Sequence, residues 1–137
     1  MKILFAGALL LIAATASGAE RLRQDLDTQL ERCQQQAVST LENLQCYEAA
    51  NTAWDSELNN QYKQLLAGQS PAAQAALKKA QRAWIGYRDS YFQGINHFYQ
   101  QQQGTVWGPV AAESKLNVVR DKARDLYRLR NSTRMGD

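Results

Sequence analysis

Residues 78–89 read Lys78-Lys79-Ala80-Gln81-Arg82-Ala83-Trp84-Ile85-Gly86-Tyr87-Arg88-Asp89, or KKAQRAWIGYRD, and their periodicity decides the fold. Leu77, Trp84, Tyr91 and Phe98 recur every seven residues, and Ala80, Tyr87 and Gly94 sit three after the first three of them. That pattern predicts a long helix with a core-facing seam, as in a helical bundle. Ser70-Pro71 supplies its start, with serine as N-cap and proline in the first turn. The glutamines at 100–103 and Gly104 supply its end. On this wheel Arg88 sits about 40° from Trp84, at roughly 100° per residue. A guanidinium beside aromatic rings must stack, snorkel or find a carboxylate, because an unpaired buried charge is costly. The expectation is a cross-helix pair with an acid of the N-terminal half, Glu57 first. Arg88 then reads as internal glue rather than as a ligand contact.

The neighbouring segments have the same character. Ser39-Thr40-Leu41-Glu42 is a capping box, in which Ser39 accepts from the third helical N–H and Glu42 reaches back. The helix it opens should run to about Ala67, with Gly68 as its stop. Leu44, Tyr47, Asn51, Trp54, Leu58, Gln61 and Leu65 share one face of it. A first helix is expected over about 21–36, with Leu22, Leu26, Leu30 and Cys33 along one side. A last helix is expected over about 109–131, with Leu116, Val119, Ala123 and Leu126 inward and Arg120, Arg124 and Arg128 as a solvated row. No segment alternates like a strand, and the composition favours helix formers. The predicted fold is all-α, a small antiparallel bundle of about four helices with one disulfide.

The chain has 137 residues, enough for one small domain with one core. Lys2, an apolar run over 3–14, and Ser17 and Ala19 form the pattern of a secretory signal peptide cleaved after Ala19. The run is too short to span a bilayer comfortably, so no stable membrane insertion is expected after cleavage; a retained anchor is the alternative. The domain organisation is therefore a signal peptide, 1–19, and a helical domain, 20–137, periplasmic or secreted. In an oxidising compartment Cys33 and Cys46, the only cysteines, read most economically as one disulfide, with two free thiols as the alternative.

Net charge is +3 and unevenly placed. Residues 20–60 carry eight acids against three bases, and residues 61–137 carry five against twelve. The two halves can attract each other in the fold. Alternatively, the basic last helix can meet anionic lipid or cell-wall polymer. Nucleic acid is not an expected partner of an exported protein, and no feature specifies an oligomeric state.

No catalytic constellation is visible: no G-x-S-x-G, no H-E-x-x-H, no phosphate-cradling glycine loop. Asp55 and Glu57 point to different sides of one helix, unlike paired glycosidase carboxylates. Two cysteines and the lone His97 are too few and too scattered for a structural zinc site. The expectation is a non-enzyme without cofactor or metal. Residues 104–109, GTVWGP, form a loop with one large aromatic, so Phe98, Tyr99 and Trp107 are the candidate partner-binding residues. A lid on the core is the other reading of Trp107.

These motifs carry a family resemblance. Gln81, Trp84, Arg88 and Asp89 in KKAQRAWIGYRD resemble the hallmark of the lysozyme inhibitor LprI-like family of exported bacterial helical proteins. Glu57, Asn59 and Tyr62, in DSELNNQYKQLL, resemble its upstream segment, and Cys33 and Cys46 its first cysteine pair. ARDLYRL, residues 123–129, is loosely similar to its closing helix. Members often carry a second cysteine pair; Tyr91-Phe92 stands at the first of those positions here and no cysteine follows. The resemblance implies an extracytoplasmic protein that binds lysozyme or another extracytoplasmic protein. The alternative is a structural envelope protein that uses the basic C-terminal helix.

Overall fold

In a computed structural model, residues 18–134 are described. The leader expected over 1–19 lies outside them except for Gly18 and Ala19. Four helices and no strand occur among the described residues: α1 (Gln24–Gln36), α2 (Thr40–Leu66), α3 (Pro71–Gln100) and α4 (Trp107–Asn131). None is long and apolar enough to cross a membrane.

Local chemistry sets the ends. Ser39 Oγ accepts from Glu42 N at 3.1 Å. Glu42 Oε2 accepts from Val38 N, one residue before the cap, at 2.6 Å. α2 stops at Ala67, followed by Gly68 at φ 77°, a left-handed conformation that glycine adopts freely. Ser70 Oγ accepts from Ala73 N, with Pro71 behind it. α1 begins at Gln24, later than expected, because Arg23 is left-handed at φ 49°. Its guanidinium holds both Asp25 oxygens, at 2.9 and 2.8 Å. α4 begins at Trp107, so Pro109 lies in the first turn, where a missing N–H costs no helix bond.

α2 and α4 form the central pair and run parallel. Leu44 lies against Gly108 at one end, and Arg130 donates to Gln61 at the other. α1 runs antiparallel beside both, joined by the Cys33–Cys46 disulfide with Cα atoms 5.7 Å apart. α3 runs antiparallel on the other side and packs mainly on α4. The core comprises Leu26, Ala50, Trp54, Leu58, Leu65, Leu116, Val119, Ala123 and Leu126. The expected inner faces of α2 and α4 are therefore the observed ones.

α3 contributes nothing to that buried cluster; Leu77, Trp84 and Phe92 pack on its outside. The seven-residue seam is corrected accordingly. Tyr87, Tyr91 and Phe98 are 58%, 46% and 59% exposed. The inward residues are Leu77, Gln81, Trp84, Arg88, Phe92, Ile95 and Tyr99. A seven-residue repeat drifts about 20° per heptad around a helix of 3.6 residues per turn, and the face that α3 buries follows spacings of four and three, repeating every eleven residues.

Candidate functional site

The motif residues are spread through helix contacts. The Arg88 guanidinium lies 5.5 Å from the Trp84 ring, and Lys122 Nζ lies 5.9 Å from the same ring. Arg88 donates to Asp89 Oδ1 at 3.1 and 3.0 Å and to Asp55 Oδ1 at 3.4 Å. Its interhelical partner is thus Asp55, one of the N-terminal acids, and not Glu57. Glu57 faces the other way and is 4% exposed. It accepts from Arg23 at 3.1 Å and from Gln61 at 2.7 Å. Asp25 and Glu57 together hold the Arg23 guanidinium well above its ordinary value, Asp25 contributing most. Gln81 is buried, Tyr62 packs on the core, and Asn59 and Asp89 are exposed.

The predicted solvated row on α4 is also corrected. Arg120 and Arg124 turn inward to Asp27 of α1, and only Arg128 is exposed. Arg124 further lies 5.4 Å from the Trp54 ring. An acid close to both arginines in the fold removes them from the surface charge available to a partner.

The three candidate aromatics do come together. Tyr99 stacks on Trp107, centroids 5.9 Å apart and planes at 19°, and Phe98 meets Tyr99 edge-on at 5.1 Å. Trp107 Nε1 donates to Gln103 O at 3.0 Å, and the Tyr99 hydroxyl lies 3.4 Å from Ser114 Oγ. Tyr99 and Trp107 are half-buried, so Phe98 is the protruding member. They stand at the end of the bundle where the α1–α2 and α3–α4 connections meet the start of α4. A groove of about 540 Å³ opens there between α2, the end of α3 and the start of α4.

Periodicity missed the apolar tips at this end. Val38, Leu41 and Val106 are 90%, 62% and 57% exposed. Val38 and Val106 border a second cleft of about 520 Å³, which Tyr47 and Glu113 also line. The signal was available: both valines stand in connections, outside any helical period. Burial, and then the charge of Glu113, push the Tyr47 hydroxyl above its ordinary value. Glu42, Glu48 and Glu113 give this end acidic character, against Lys115. Among the described residues no group of three or more His, Cys, Asp or Glu could hold a metal ion.

A family model described as Lysozyme inhibitor LprI matches residues 31–126, from the last turns of α1 into the last turns of α4. No curated protein and no solved structure matches the chain. The chain belongs to the lysozyme inhibitor LprI family.

Proposed function

We propose, on the premise of that family membership, that the protein is an exported, non-enzymatic binding module that inhibits lysozyme. The family match over residues 31–126 is the observation that carries this reading. The apolar tips Val38, Leu41, Val106 and Phe98 support it, because exposed apolar groups gathered at one end mark an interaction surface. Charge placement supports it as well. A chain of net charge +3 gains no overall steering toward a basic lysozyme, but an acidic end can orient the encounter. The N-terminal leader pattern supports export to the periplasm or beyond the cell. The rival reading, a basic last helix on anionic lipid or glycan, is weakened by the engagement of Arg120 and Arg124 with Asp27.

The test is a cell-wall lysis assay with purified lysozyme and residues 20–137. Inhibition that saturates with added protein is expected. Unchanged lysis at large molar excess, with salt-sensitive binding to envelope fragments, would favour the rival.

A further inference from the structure

We propose that the groove between α2, the last turns of α3 and the first turns of α4 binds a neutral amino-sugar oligosaccharide. This goes beyond lysozyme inhibition and does not rest on it.

The chemistry of the lining carries the inference. Tyr47, Tyr99 and Trp107 supply aromatic surface. Tyr99 and Trp107 have their polar atoms turned to Ser114 and Gln103, so what they offer a ligand is the ring surface that their mutual stacking leaves uncovered. Aromatic faces carry negative charge density and attract the polarised C–H groups on one side of a pyranose. Asn51, Asn96, Gln100 and Gln102 line the same groove. None of these four amides makes a side-chain hydrogen bond among the described residues, so each has both donors and an acceptor to offer. Hydroxyl and acetamido groups need that mixture. The groove volume, about 540 Å³, lies within the range of about 300–1,000 Å³ typical of small-molecule sites.

Other ligand classes fit less well. A purely apolar ligand would strip water from four amides without replacing it. An anion would meet Glu48, and a cation would meet Lys115, on the same lining. An extended peptide adds along an exposed strand edge, and the groove walls, mostly helical, present none among the described residues. A saccharide asks only for ring faces and amides.

The test is titration of the purified protein with chitotriose, followed by the three tryptophan indole N–H resonances. Saturable binding that shifts the Trp107 signal and leaves those of Trp54 and Trp84 in place is expected. Trp107→Ala should abolish it. Because Trp107 opens α4, Asn51→Ala and Asn96→Ala serve as variants that disturb no internal hydrogen bond, and each should weaken binding roughly tenfold with unchanged helicity. No saturable shift in the wild type, full affinity in both asparagine variants, or equal binding of a sugar-free cell-wall stem peptide would overturn the proposal.

Discussion

Asp27 of α1 accepts from two arginines of α4 at once, Arg120 Nη1 at 2.8 Å and Arg124 Nη2 at 3.1 Å. The three side chains are 29%, 20% and 19% exposed, so water only partly shares the pairing. This contact and the disulfide hold a short helix that propensity alone would not keep folded.

Asp27→Ala leaves two half-buried guanidinium groups without their carboxylate. It should destabilise the protein by about 1–3 kcal/mol, read as a lower urea midpoint at unchanged slope. An unchanged midpoint would show that the arginines simply turn to water.

The disulfide closes a loop across a sequence separation of 13. Its removal in a Cys33→Ala/Cys46→Ala variant should cost about 3 kcal/mol in the chain-entropy model. Hydrogen exchange should quicken first in α1 and least at Trp54 and Leu116, which are fully buried on the central pair. Uniform loss of protection would contradict a stapled first helix.

Arg88 lies over the Trp84 ring, pairs with exposed Asp89 beside it at 3.0 Å, and reaches half-exposed Asp55 only at 3.4 Å. Arg88→Ala should cost about 1 kcal/mol. Asp55→Asn should stay within about 0.5 kcal/mol. A larger loss for Asp55→Asn, measured by the same denaturation, would make the ion pair the main term.

Tyr47 should contribute an alkaline response. Burial raises its hydroxyl above the ordinary tyrosine value of 10.0. Above that pH the unfolded chain loses a proton that the folded protein keeps, so unfolding becomes more favourable as pH rises. Thermal midpoints should fall on passing above the ordinary tyrosine range, and Tyr47→Phe should flatten the fall. Identical pH profiles for the two proteins would assign the alkaline response to other groups.

Much of the architecture is legible in the sequence because its signals are local. Ser39 and Glu42, and Ser70 with Pro71, mark helix starts, and Trp54, Leu58, Leu116 and Val119 follow the period of the face they bury. The outer face of α3 was not legible, because a seven-residue repeat drifts about 20° per heptad around a helix, and the face that α3 buries follows spacings of four and three instead. The partners of the arginines were not legible either. Asp27 and Arg120 are 93 positions apart, and several acids compete for each cation. Phe98, Tyr99 and Trp107 were legible as a set, but their exposure depends on stacking that only the fold defines. Family membership was legible in the tryptophan-arginine motif and the cysteine pair, which lie within the matched residues.

The most direct test is hydrogen exchange mapped across the complex with lysozyme. New protection is predicted in residues 37–42 and 98–107, the end carrying Val38, Leu41, Phe98 and Val106. Protection confined instead to the opposite end, around Lys63, Lys78 and Arg128, would contradict the account.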